Sequence, residues 1–173
     1  SSYDGSAIEC AGEDSMPVIE NCLFYGNTAT NGHGALDFYD GCTAEILNCT
    51  IADNTGDDTF GGINSTDSTV AVKNSILWNN GVSTTGDTIT ITYSCLKGAA
   101  GGTGNVSSDP MFRTGFYGNY YLSQISAGQL EDSPCVNAGD ANTNAYYGNT
   151  NYITNTYDID ETNKVDLGYH YQK

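Results

Sequence analysis

VIENCLFYGN (18–27), EILNCTIADN (45–54) and AVKNSILWNN (71–80) align without a gap, their starts 27 and then 26 residues apart. Self-similarity at such a period marks stacked repeats, because one unit of this length cannot cover its own apolar face and needs a neighbour of the same kind. The aligned columns are Ile19, Ile46 and Val72; Asn21, Asn48 and Asn74; Cys22, Cys49 and Ser75; Phe24, Ile51 and Leu77; and Asn27, Asn54 and Asn80. Apolar and polar residues alternate at period two, and Gly or Asn punctuates every few residues, which is the pattern of short strands and not of helices. A weaker alignment lies upstream of each block, at GSAIEC (5–10), HGALDF (33–38) and FGGINS (60–65). Each unit therefore reads as a Gly-led strand, a turn, a second strand, an Asn, a third short strand and a closing Asn.

Stacking such units in register sets successive members of a column about 4.8 Å apart. The Ile19 and Phe24 columns become inward aliphatic stacks, and Cys22, Cys49 and Ser75 fill a tight inner corner. Asparagine tolerates the left-handed conformation, and its amide can bond the equivalent amide one level away, so Asn21, Asn48, Asn74 and Asn27, Asn54, Asn80 are expected to form two ladders. The fold expected is all-β: a right-handed parallel β-helix of about four or more coils over residues 1–98, with ITYSCLKG (91–98) as a fourth rung. Residues 99–173 are expected to supply an irregular last coil and a cap over the stack's end, within the same domain, since an uncovered rung presents unpaired N–H and C=O groups. No comparable cap is visible before Gly5, which leaves that end for earlier coils of a longer chain or for another copy.

The repeats resemble those of parallel β-helix surface proteins, whose coils carry the pattern I-x-N-C-x-F/I-x-x-N seen at 19–27 and 46–54. The resemblance continues through ITYSCLKG (91–98) and SSDPMF (107–112). It extends to a closing segment with SPCVNAGD (133–140), YDIDETN (157–163) and VDLGYHY (165–171). It departs where such proteins carry D-x-D-G-x-x-R and this chain has Asp158-Ile-Asp160-Glu161-Thr-Asn-Lys164. The family includes surface adhesins, layer or filament components and carbohydrate-active enzymes, so the resemblance implies a fold more firmly than an activity.

Composition narrows the partners. The 173 residues carry 21 acidic and five basic side chains, for a net charge of -16. Nucleic acid and anionic lipid both call for clustered Lys and Arg that this chain lacks, and no apolar run is long enough to cross a bilayer as a helix. Six cysteines, with sequons at Asn48, Asn64 and Asn105 as glycosylation candidates, point to an oxidising, extracellular or cell-surface setting. Stacked Cys22 and Cys49 are expected as buried thiols, their Cβ atoms about 4.8 Å apart against the 3.5–4.5 Å of a bridge. Cys95 with Cys135, and Cys10 with Cys42, are the disulfide candidates.

No catalytic group emerges. GHG at 32–34, with His33, and adjacent Asp57 and Asp58 do not supply the two separated carboxylates that glycoside hydrolysis needs. Arg113, the one arginine, is expected in a structural ion pair. Asp140, Asn142 and Asn144 present oxygens at alternate positions and, with Asp158 and Asp160, are candidate Ca²⁺ ligands. Tyr25, Trp78, Tyr120, Tyr121, Tyr146 and Tyr147 are candidates for stacking on sugars. The reading is a noncatalytic extracellular structural or adhesive module, joined to copies of itself or to further coils and in contact with glycans. The alternatives are a carbohydrate-active enzyme fragment or a glycan-binding module.

Overall fold

The computed structural model describes residues 7–29, 34–56, 61–80, 84–98, 101–141, 152–157 and 164–172. Among these the protein is all-β, without an α-helix, and its main sheets are parallel and curled. The first level holds β1 (Ile8–Ala11), β2 (Val18–Glu20) and β3 (Leu23–Tyr25). The second holds β4 (Leu36–Tyr39), β5 (Thr43–Leu47) and β6 (Thr50–Ala52). In the third, one long strand β7 (Ile63–Lys73) serves both of the first two positions and is followed by β8 (Ile76–Trp78). The fourth comprises β9 (Thr84–Thr92) and β10 (Cys95–Leu96).

Each strand pairs with its equivalent in the next level, not with its neighbour in sequence. Ile19 faces Ile46, Ile46 faces Val72, and Val72 faces Ile91. Phe24, Ile51, Leu77 and Leu96 form a second register line. The inward stacks read from sequence are thus present, and Ile46, Ile51 and Leu77 are wholly buried. Along β5 the alternation of exposed and buried residues turns Ala44 and Ile46 inward and Thr43 and Glu45 outward.

Three corners per level make this possible, and each needs a residue at positive φ. The first corner uses Gly12, Asp40 and Asp67, the second Asn21, Asn48, Asn74 and Tyr93, and the third Gly26, Asp53 and Asn79. Left-handed backbone costs an ordinary L-residue about 1–2 kcal/mol, less for Asn and Asp and nothing for Gly, which explains the corner composition.

The two asparagine columns behave differently. Asn27 Nδ2 donates to Asn54 Oδ1 at 2.8 Å and Asn54 Nδ2 to Asn80 Oδ1 at 3.0 Å, so this column is the expected ladder. The main-chain N–H groups of Asn27 and Asn54 donate to the same two oxygens at 2.9 and 3.0 Å. The other column is not an amide ladder. Asn21 and Asn74 turn outward to the closing segment, and the buried Asn48 amide has no hydrogen-bond partner among the described residues.

The expected cap is also displaced. Gly168 N–H donates to Asn74 O at 2.8 Å, Tyr169 N–H to Thr50 Oγ1 at 2.9 Å, and His170 N–H to Asn21 Oδ1 at 2.7 Å. Successive residues climb from the third level to the first, so the closing segment is a strap along the flank. Beside it lies the hairpin of β11 (Phe112–Gly115) and β12 (Gly118–Leu122), with Tyr120 Oη donating to Asp53 Oδ2 at 2.9 Å. Strand β13 (Tyr152–Ile153) pairs antiparallel with β14 (Tyr171–Gln172) and anchors the strap's far end. A second apolar core of Ile76, Cys95, Leu122, Cys135 and Leu167 fills the space between this layer and the sheet of β6, β8 and β10.

Replacing Asn54 by Ala removes both lateral bonds of the ladder and leaves the Asn27 N–H without its acceptor. A loss of about 2–4 kcal/mol is expected in urea unfolding, against about 1 kcal/mol for Asn27→Ala at the column's end.

Candidate functional site

The chemistry-bearing residues gather at the second corner and under the strap. A residue at positive φ followed by one with a short side chain forms this corner in every level. The Cys22 N–H donates to Cys49 Sγ at 3.4 Å, Cys49 N–H to Ser75 Oγ at 3.1 Å, and Ser75 N–H to Ser94 Oγ at 3.1 Å. Ser94 N–H donates to Asn105 Oδ1 at 2.9 Å, which closes the column. Sulfur and hydroxyl oxygen play one role here: each satisfies the corner N–H of the level before it.

The strap is positioned by residues of the closing motifs. Asp166 is buried, and its carboxylate accepts from Asn137 N–H at 2.6 Å, from Gln124 Nε2 at 3.0 Å and from the Thr154 hydroxyl. These three neutral donors offset the cost of desolvating the carboxylate. Ser133 Oγ donates to Pro110 O at 2.7 Å and accepts from Cys135 N–H at 3.1 Å. Gly168, at φ +90°, lies so close to the second and third levels that a Cβ there would stand 2.6 Å from Thr50 Oγ1 and 2.8 Å from Ile76 Cδ1. Asp140 forms an ion pair with Lys73 and a hydrogen bond from Asn74 Nδ2 at 2.9 Å.

Of the candidate Ca²⁺ ligands, Asp140 is met by Lys73 on one carboxylate oxygen and by Asn74 on the other. Asn142, Asn144, Asp158 and Asp160 lie outside the described residues, as do His33, Asp57, Asp58, Tyr146 and Tyr147. No cluster of three or more His, Cys, Asp or Glu suited to a metal occurs among the described residues.

Two of the three sequon asparagines are buried. Asn48 is wholly buried, and Asn64 is buried with its Nδ2 donating to Asp37 Oδ1 at 2.7 Å. Asn105 is half-buried and uses its Nδ2 on Ile91 O at 2.9 Å as well as its oxygen on the Ser94 N–H.

Arg113 is exposed on β11 and donates to Phe112 O at 3.3 Å; the ion pair expected of it is absent among the described residues. Tyr120 and Tyr121 are buried, not sugar platforms, and Trp78 packs into the second core. Burial and the bond to Asp53 raise the Tyr120 hydroxyl above the ordinary tyrosine range. Tyr25, Phe116 and Tyr117 remain exposed, with Tyr25 5.3 Å from the Tyr120 ring.

The six cysteines are thiols, and they meet in three pairs. Cys10 Sγ lies 3.5 Å from Cys42 Sγ, and Cys95 meets Cys135 in the second core. The hydrogen bond from Cys95 and then burial push the Cys135 thiol well up. Both candidate pairs are in contact. Cys22 and Cys49 are in contact too, but only Cys49 is buried; Cys22 is half-exposed. On the outer face of β5, β7 and β9 a cavity of about 330 Å³ is lined by Glu45, Leu47, Ala71, Val72, Lys73, Thr90 and Thr92.

No family model, curated protein or solved structure matches the chain.

Sequence reading missed Asp166, Gly168 and the Lys73 to Asp140 pair as determinants of the strap. The VDLG run was the available signal: an acid between two apolar residues, ahead of a glycine. Gly168→Ala is expected to destabilise by about 2–5 kcal/mol through strain and crowding together, judged by thermal or urea unfolding. Gly128→Ala has the same left-handed strain at φ +80°, with nothing nearer than Tyr157 at 3.8 Å. It should lose only about 1–2 kcal/mol.

Proposed function

We propose that this chain is a run of coils of a right-handed parallel β-helix serving outside the cell as a noncatalytic structural and adhesive module. The observation that carries this is the in-register pairing of equivalent residues about one unit apart through four levels, with aliphatic side chains stacked inside. Such a body is stiff, because every level shares main-chain hydrogen bonds with the next.

Its function in this reading lies at its ends. Strands β1, β2 and β3 are edges of their sheets, each paired on one side among the described residues. Ile8, Cys10, Cys22 and Phe24 are half-exposed, whereas the inward residues Leu36, Phe38, Cys49 and Ile51 one level in are wholly buried. At the other extreme β9 is likewise an edge, with Ile89 and Ile91 partly buried. An edge with unpaired main chain and half-covered apolar groups is a template for another coil of the same kind. The partner of matching chemistry is a second copy of this chain, and the uncharged Thr88, Thr90 and Thr92 on β9 give the acidic Glu9 and Glu20 no like charge to oppose.

The rival, a carbohydrate-active enzyme, draws little support from the outer cavity, whose lining holds Glu45 as its one carboxylate where two are required. A glycan-binding reading has one observation in its favour, the exposed rings of Tyr25, Phe116 and Tyr117.

Analytical ultracentrifugation across a range of concentrations tests the proposal. Association that grows with concentration is expected, yielding end-to-end particles in negative stain. Ile8→Lys at the half-exposed edge of β1 is expected to abolish it with an unchanged circular dichroism spectrum. A chain monomeric at every concentration overturns the assembly reading.

A further inference from the structure

We propose that Cys22 is a thiol–disulfide exchange site for small disulfides, with Cys49 as its resolving thiol. The inference rests on the geometry of the second corner and does not depend on the end-to-end assembly proposed above.

Three observations carry it. The two cysteines occupy equivalent positions in adjacent levels, since Leu23 pairs with Thr50 and the Thr50 N–H donates to Cys22 O at 3.0 Å. Their exposure is asymmetric: Cys22 is half-exposed and Cys49 is wholly buried, so an external disulfide reaches the first and not the second. The third is the direction of the corner column. Cys49 Sγ accepts the N–H of Cys22, Ser75 Oγ that of Cys49, and Ser94 Oγ that of Ser75. Cys22 stands at the start of this series, and among the described residues no N–H donates to its sulfur. Its thiol donates outward to Glu20 O at 3.2 Å.

The electrostatics agree with the geometry. The hydrogen bond from the Cys49 thiol is the largest influence on Cys22 and lowers it to about 7, against the opposing effects of burial and Glu20. The same contact and burial raise Cys49 well above the thiol range, which keeps it protonated until the first step is complete. Cys42, the buried partner in the neighbouring pair, is raised to about 11 by burial and by its bond to Cys10.

The exchange balances in two steps. The Cys22 thiolate attacks one sulfur of R–S–S–R, forming a Cys22–S–S–R bond and expelling R–S⁻. The Cys49 thiol gives its proton to the expelled thiolate, attacks Cys22 sulfur and expels the second R–S⁻, which takes a proton from water. Cys22 and Cys49 together lose two electrons, and the external disulfide gains them. The bridge ties the first level to the second. The Cβ spacing of stacked residues, about 4.8 Å, exceeds the usual range for a bridge, so this one is readily reduced again.

Net charge and neighbouring Glu20 choose the probe. A chain of net charge -16 attracts a cationic disulfide, so cystamine is used. The full-length folded chain is treated with cystamine at pH 7, quenched with acid at intervals, and the modified cysteines are located by peptide mass spectrometry. Cys22 is expected to carry the first adduct, which gives way to a Cys22 to Cys49 bridge. In Cys49→Ser, which places at this level the residue type found at Ser75 and Ser94, the adduct is expected to persist.

The pH dependence of alkylation of the wild-type chain supplies a second readout that needs no variant. Cys22 should show a midpoint near 7, about one to two units below an ordinary thiol. First modification at Cys10, a wild-type adduct that never resolves, or a midpoint in the ordinary range overturns the proposal.

Discussion

Everything in this structure depends on the main-chain hydrogen bonds between equivalent residues of successive units. They require that each unit turn at the same places by the same amount, so the corners, not the strands, are the demanding part. Ten non-glycine residues among those described sit at positive φ, and eight of them are Asn or Asp. The exceptions are Tyr93 and Met111, each carrying about 1–2 kcal/mol of backbone strain. Tyr93 is held where the second corner is being closed off, with its N–H on Thr103 O and Asn105 reaching back to Ile91 O. Strain is tolerated there because several bonds to a non-repeating segment fix the backbone from outside.

A corner in a stacked fold also leaves an N–H that no strand partner receives. The run Cys22, Cys49, Ser75, Ser94 answers that need with one side-chain acceptor per level, and Asn105 ends it. This explains why a cysteine can give way to serine in the third unit without breaking the column. It also explains why the asparagine just before it is free to look outward: its backbone makes the turn, the following side chain satisfies the amide, and its own amide is left for the strap.

That division of labour marks the limit of what the sequence disclosed. The inward columns were legible because the blocks align without a gap and their apolar residues fall at period two. The two asparagine columns are indistinguishable by the same test, yet one is a ladder and the other a docking rail. The difference is set by residues far along the chain, with Asn21 meeting His170 and Asn74 meeting Asp140. Outward-facing Ile76 and Cys95 were the local hint, since apolar groups on a sheet's outer face imply a covering layer. The closing motifs were recognisable, but placing them over the end followed from the general need to cover an edge. In this molecule the outer face of the sheet of β6, β8 and β10 made the stronger demand. It buries Leu122, Cys135 and Leu167 against Ile76, and Asp166 can be desolvated beside them because Gln124, Thr154 and Asn137 supply its donors.

The strap also accounts for Asn48, whose side-chain amide has no partner among the described residues. Levels repeat about every 4.8 Å, whereas an extended chain advances at most about 3.3–3.6 Å per residue. Gly168, Tyr169 and His170 contact three consecutive levels, so they fall short of the stack's own spacing with every step. The shortfall is bridged by reaching for different atoms: a main-chain oxygen at Asn74, a threonine hydroxyl at Thr50 and an amide oxygen at Asn21. At the middle level Thr50 takes the strap's N–H, and Asn48, two residues earlier, is covered without being bonded. Two lattices of unequal period cannot match at every point. The stack keeps its period because packed side chains and main-chain bonds between levels enforce it, and among the described residues the mismatch falls on the buried Asn48 amide. Substituting Asn48 by a residue without an amide would remove that desolvated group, but it would also remove the side chain best able to hold the corner at positive φ. The asparagine is kept for its backbone, and its idle amide is the consequence.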